Sequence, residues 1–274
     1  MNTTHPLRWL ALIGLDQPTL PDEKDVCQEL ARQFPAASPL IVANSTPRLI
    51  TGTIGQFTVA ATLVPHPIPW TQLEGPCATA WYWPQATDSL RNHSAHLLVT
   101  LVDESGRPAE KSNCLTQFVT ALTTALSLEG SPTEMANPVL GIFWGPSRMV
   151  HPCQAFVEQA LQMTPQNLPL YLWIDFRIET VPSEQQPEIE YLRLYTTGLE
   201  ALGQSELEVP QYQGNPQQLL ELVYNVAHSL IEKRKAVNDG DTIGLTDQVQ
   251  ASIRHNKSML DGTTDTLWIE FQSE

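Results

Sequence analysis

"LPLYLWIDFRIE", residues 168–179, alternates cleanly. Leu170, Leu172, Ile174, Phe176 and Ile178 fall on one side, and Tyr171, Trp173, Asp175, Arg177 and Glu179 on the other. A period of two is the pattern of a strand with one face in a core. The next run, "EIEYLRLYTTG", lies across a loop around Pro182 and Pro187 and sets Leu192 and Leu194 between Tyr191, Arg193 and Tyr195. Two successive alternating runs predict an antiparallel pair, and therefore a sheet protein rather than a helical bundle.

Towards the N-terminus the pattern changes from strand to helix and back. "LRWLALIGL" (7–15) is an apolar run closed by Asp16 and Pro18, which predicts a buried strand. "PDEKDVCQELARQF" (21–34) opens with proline and acids and repeats apolar residues every four, as a helix does. "PLIVANSTPRLI" and "FTVAATLV" read as a hairpin about Gly52 and Gly55. "ATAWYWPQATDSLRNH" reads as helix interrupted near Pro84, and "AHLLVTLVDESG" as another buried strand. The order β-α-β-β-α-β is that of a ferredoxin-like half over residues 1–104.

Residues 105–274 predict a second α+β half, packed closely enough on the first to make one continuous domain. Its helices are expected in "SNCLTQFVTALTTAL" (112–126), in "HPCQAFVEQALQM" (151–163) and in the run that begins "NPQQLLELV", where Asn215 caps and Pro216 takes the first helical position. Strands are expected in "VLGIFWG", "DQVQASIRH" and "DTLWIEFQ". The fold class is therefore α+β, with mixed, largely antiparallel sheets and helices packed on one face.

Composition narrows function. Thirty acids against fifteen bases give a net charge of −15 in 274 residues. Affinity for nucleic acid comes mainly from Lys and Arg, so the balance argues against it, and against an anionic membrane surface. Four widely spaced cysteines include no CxxC, so a zinc framework is not indicated and a reducing cytoplasm is expected. The first residues hold no basic region and no small-residue cleavage site, and their apolar run is too short for a bilayer.

Few residues carry a chemical signature. Cys77 in "EGPCATAWYW" would be a nucleophile if Gly75-Pro76 placed it at a helix N-terminus with His151 or His228 as base; a packed thiol is the plainer alternative. His151 either caps the helix after it or lines a cleft beside Trp144. His93 and His96, three apart, suit metal ligands or a helix end near solvent. In "NDGDTIG" (238–244), Asp239 and Asp241 could hold a cation, but Ile243 and Gln250 stand where a calcium loop needs oxygen ligands, so a turn between helix and strand fits better. The richest constellation is the face carrying Tyr171, Trp173, Asp175 and Arg177 opposite Tyr191, Arg193 and Tyr195. Aromatics and arginines dominate interface hot spots. The alternative is a covered face on which Asp175 pairs with an arginine.

The stretches "PHPIPWTQLEGPCATAWYWPQA", "HLLVTL", "GIFWGPSRMVHP", "LPLYLWIDFRI", "LYTTGLEALGQSELEVP" and "NDGDTIG" together resemble a bacterial family, domain of unknown function family 4261. The resemblance spans nearly the whole chain, most strongly from residue 65 onward. It implies no reaction, cofactor or catalytic set, but joins the 238–244 loop to a shared module with "TTGLEALGQSELEV". The expectation is thus a cytoplasmic, non-enzymatic protein-binding module without a cofactor. Its partner would be a protein, a basic one by charge, in an immunity- or antitoxin-like role. A hydrolase using Cys77 or His151 between the two halves is the alternative.

Overall fold

The apolar run after residue 8 becomes β1, Trp9–Leu15, which lies between two neighbours in the middle of a seven-stranded sheet. The computed structural model describes residues 9–103, 107–129, 138–164, 166–182, 190–233, 237–245 and 249–273; residues 7 and 8 of the expected strand lie outside them. The chain forms two compact units, Met1–Trp173 and Ile174–Glu274.

In the first unit β1 is followed by α1 (Glu23–Gln33), β2 (Leu40–Thr46), β3 (Leu49–Ile54) and β4 (Phe57–Val64). Next come α2 (Trp70–Thr79), α3 (Ala86–Arg91), β5 (Ala95–Val102) and α4 (Pro108–Glu129). The unit closes with β6 (Val139–Trp144), β7 (Met149–His151), α5 (Cys153–Leu161) and the single turn α6 (Leu170–Trp173). The strands lie in the order β2-β3-β4-β5-β1-β6-β7 and every pairing is antiparallel. Through residue 102 the order is the expected β-α-β-β-α-β with one strand and one helix more. The extra strand arises because "PLIVANSTPRLI" folds back on itself at Pro47-Arg48, a turn without the Asn-Gly or Asp-Gly signal that marks such hairpins.

Helices lie on both faces of this sheet, not on one. Leu12, Phe143 and Val150 point to α2 and α3, where they meet Leu73, Cys77, Trp83 and Leu90. Ala11, Ile13 and Leu15 point the other way and are fully buried on the side of α4. Coverage on both sides explains why β1 is continuously apolar instead of alternating. The packing is close: a Cβ at Gly141 would lie 2.7 Å from the Trp83 ring. In this unit β6 hydrogen-bonds to β1 directly, and the boundary between the two units falls after Trp173.

The second unit holds β8 (Asp175–Pro182), β9 (Glu190–Thr197), a 3₁₀ turn at Glu200–Leu202, β10 (Leu207–Tyr212) and α7 (Pro216–Lys233). It ends with β11 (Thr242–Gly244), β12 (Val249–Lys257) and β13 (Asp265–Ser273). The sheet order is β11-β12-β13-β10-β9-β8, with β10 and β13 as its parallel pair. Asn215 caps α7, its side chain accepting from the Gln217 amide at 2.7 Å, as the sequence predicts. Phe176 stacks on Tyr224 of α7, so α7 covers the face that carries Phe176, Leu194, Val209 and Ile253. The opposite face carries Asp175, Arg177, Tyr195, Glu208 and Trp268, set side by side by the strand register.

Candidate functional site

The β8–β9 pair brings together five of the seven residues expected on the aromatic, charged face. Arg177 lies opposite Tyr195, Glu179 opposite Arg193 and Val181 opposite Tyr191. Arg177 Nε donates to Asp175 Oδ2 at 2.6 Å, and the guanidinium also engages the Tyr195 hydroxyl. That hydroxyl donates to Glu179 Oε1 at 3.0 Å. The expected Asp175–arginine pair is therefore present. Asp175 is 4% exposed, Arg177 and Arg193 are half-buried and Glu179 is exposed, so the row runs from a covered end to an open one.

The electrostatics follow that gradient. Burial pushes the Asp175 carboxyl above its usual range, and Arg177 only partly opposes this. Burial, then the Glu179 carboxylate, raises Tyr195. Two polar atoms here lack a partner: Asp175 Oδ1 and Arg193 Nε are buried without a hydrogen bond. Unpaired buried groups of this kind each cost about 1–3 kcal/mol.

Tyr171 and Trp173 do not share this face. The alternation that predicts a strand from 168 breaks, and Leu170–Trp173 makes one helical turn in the first unit. A strand would send Trp173 away from Leu170 and Leu172, whereas the turn buries all three. The Trp173 indole N–H donates to Thr116 Oγ1 on α4 at 2.9 Å, a partner the local pattern cannot reveal. Tyr171 alone in this turn stays exposed.

Cys77 is not at a helix N-terminus. α2 starts at Trp70 and runs through Pro76, with Leu73, Pro76 and Cys77 buried on one side. Packing of that side against Phe143 and Val150 outweighs the helix penalty of an interior proline, about 3 kcal/mol. The thiol is 6% exposed, and burial pushes it up to about 11. His151 is the last residue of β7 and does not cap α5, whose cap position is Pro152 with no side-chain bond. Its ring lies 5.9 Å from Tyr82 and 5.7 Å from Phe156, the latter also touching Trp144. Complete burial lowers the imidazole to about 4, and Nε2 has no partner.

His93 and His96 are buried rather than near solvent, and both tie down the loop before α2. His93 Nδ1 donates to the Leu90 carbonyl, and Nε2 accepts from the Ile68 amide, each at 2.5 Å. His96 Nδ1 lies 2.8 Å from the His66 carbonyl. Asp239 and Asp241 close a turn: Asp239 accepts from the His255 amide at 2.9 Å and Asp241 from the Asn238 amide at 2.8 Å, with Gly240 at φ +86°. Positive φ is where glycine is preferred.

Two features were not singled out in the sequence. Glu206 and Glu208, in "GQSELEV", are the joints of the second sheet. Glu206 accepts from the Thr196 hydroxyl and from the amides of Gly198 and Glu200. Glu208, 2% exposed, accepts from Ser258 Oγ at 2.5 Å, the Met259 amide at 2.8 Å and Trp268 Nε1 at 3.1 Å. Glu206 stands just before β10 and Glu208 within it, on either side of the buried Leu207, and that contrast was the available signal. The other feature is an open cleft of ≈ 350 Å³ between the Gly55-Gln56 turn and the start of α4, where Cys114 is raised to about 12 by burial.

These observations define an α+β protein with two mostly antiparallel sheets. Residues 195–270 match the model of a domain of unknown function (DUF4261), so the chain resembles that family over β9 to β13. The match lies within the second unit, whereas the resemblance read from the sequence spans nearly the whole chain, most strongly from residue 65 onward. No curated protein and no solved structure matches the chain. Among the described residues, no helix is long and apolar enough to cross a membrane.

Proposed function

We propose that the protein is a non-enzymatic binding module that engages a protein partner at the open end of the β8–β9 pair. The observation that carries this reading is the prearranged row Asp175–Arg177–Tyr195–Glu179 beside Arg193 and Tyr191, on β8 and β9, of which β8 is the terminal strand among the described residues. Side chains held by one another lose little freedom on binding, which is how preorganisation raises affinity. A terminal strand also offers its outer backbone edge to an extended segment of a partner. The net charge of −15 favours a basic partner, and an immunity- or antitoxin-like role is one form this takes. The half-buried Arg193 has a guanidinium that can donate to a carbonyl or carboxylate of that partner.

The thiol alternative lacks comparable support, since Cys77 is buried and held protonated at neutral pH. Affinity capture from the source lysate, with wild-type and Tyr191→Ala baits in parallel, would identify the partner. Purified, it should bind wild type with affinity that falls as salt rises, and Tyr191→Ala and Glu179→Lys at least about tenfold more weakly. Salt-indifferent binding, or variants that bind as wild type does, would overturn the assignment.

A further inference from the structure

The segment "PHPIP" (65–69) carries the chain from β4 to α2, and two buried histidines hold it. His93, two residues after α3, and His96, on β5, are 5% and 9% exposed. His93 Nε2 lies 2.5 Å from the Ile68 amide nitrogen, and Nδ1 the same distance from the Leu90 carbonyl. His96 Nδ1 lies 2.8 Å from the carbonyl of His66, two residues before Ile68. An amide N–H only donates and a carbonyl only accepts. The partners of His93 therefore admit one form of its ring: neutral, with the proton on Nδ1 and the lone pair of Nε2 turned to Ile68.

A proton added to Nε2 turns that acceptor into a donor. Two N–H groups would then face each other, so the charged ring and the Ile68 bond exclude one another. Burial opposes the charge as well and holds both imidazoles below the ordinary histidine range. Among the described residues, the charged side chains on the elements around the two rings are Asp16 after β1, Arg48 before β3, Glu74 on α2, and Asp88 and Arg91 on α3, and all of them are exposed. The groups that act on His96 by charge are His93 and the exposed His66, and both repel it when protonated.

The helix that follows this loop is weak by itself. α2 has no side-chain cap at Pro69, no acid in its first turn and a proline at 76 in its interior. Its entry is held instead by Ile68, 3% exposed, which joins Leu73 and Cys77 in the core over Leu12 and Val150. We propose that His93 and His96 form an acid-released latch: in neutral solution they fasten the 65–69 loop and the start of α2 to the first sheet, and protonation of His93 frees that segment while the sheet stands. In the open segment each ring is a solvated imidazole near 6.5. Closure is therefore favoured in full above that pH. Each unit below it shifts the balance towards the open form by up to about tenfold for each histidine, down to the depressed pKa of the closed form.

Hydrogen exchange read residue by residue by NMR between pH 7.5 and 5 tests the latch. After correction for the intrinsic exchange rate, the Ile68 amide should be less protected than the amides of β5, and its protection should fall about tenfold or more across that range with the circular dichroism unchanged. A glutamine at 93 offers Ile68 an acceptor oxygen that does not take up a proton. His93→Gln should thus keep the Ile68 amide protected and shrink the fall, and the double variant with His96→Gln should abolish it, whereas His93→Ala should leave Ile68 unprotected at every pH. The proposal is overturned by Ile68 protection that is equal at pH 5 and 7.5, that matches the β5 amides throughout, or that falls as steeply in the double variant as in wild type. The wild-type protein alone supplies the first two of these outcomes.

Discussion

At the scale of the residue, burial decides what each reactive-looking group can do. With its thiol raised to about 11, Cys77 is almost wholly protonated at pH 7. A thiol reagent at neutral pH should therefore leave Cys77 unlabelled in the folded protein and label it on addition of denaturant, as mass spectrometry would show. Fast labelling of the native state would return Cys77 to the candidates for a nucleophile. Cys77→Ala should cost about 1 kcal/mol through the small void it leaves and keep partner binding unchanged.

His151 makes a matching prediction in pH. Burial lowers the folded imidazole to about 4, below the 6.5 of an exposed histidine. The unfolded chain then binds a proton that the folded chain refuses, so the stability contribution is full above 6.5 and is lost as pH falls towards 4. The loss is on the order of 3 kcal/mol across that window. Urea melts of wild type and His151→Gln between these pH values should differ in slope by up to one proton. Equal slopes would mean that the ring is hydrated in the folded state.

At the scale of the element, the second sheet shows how a buried carboxylate can join segments that are distant in sequence. Glu208 links β10 to the start of the β12–β13 connection through Ser258 and Met259, and to β13 through Trp268. Glu208→Ala strands those three donors and should destabilise the unit by about 3 kcal/mol. The Met259 amide should lose its hydrogen-exchange protection first, while Glu208→Gln, which keeps the acceptor oxygen, should lose less. If Met259 exchanges equally fast in wild type, the linkage is not holding that segment. The same scale explains the departure at 168–173. Alternation reports two faces, but one face of Leu170–Trp173 could not bury both leucines and the indole, so the chain makes a turn there and begins its strand at Asp175.

At the scale of the whole molecule, the acidic body predicts that a basic partner on β8–β9 binds more weakly as salt rises, which a titration over a salt series would measure.

Periodicity by itself determined most of the strands and helices, the antiparallel pairing of β8 with β9, the cap at Asn215 and the turn at Gly240, because each depends on neighbours a few residues away. Net charge likewise needs no fold. Tertiary structure alone decided that β6 and β7 extend the first sheet, that α2 runs through Pro76, and that His93, His96 and His151 are sealed from solvent. The reason is physical: a local pattern states which side of an element is apolar or polar, whereas exposure, and with it every pKa and every accessible surface, depends on which distant segment packs against that side.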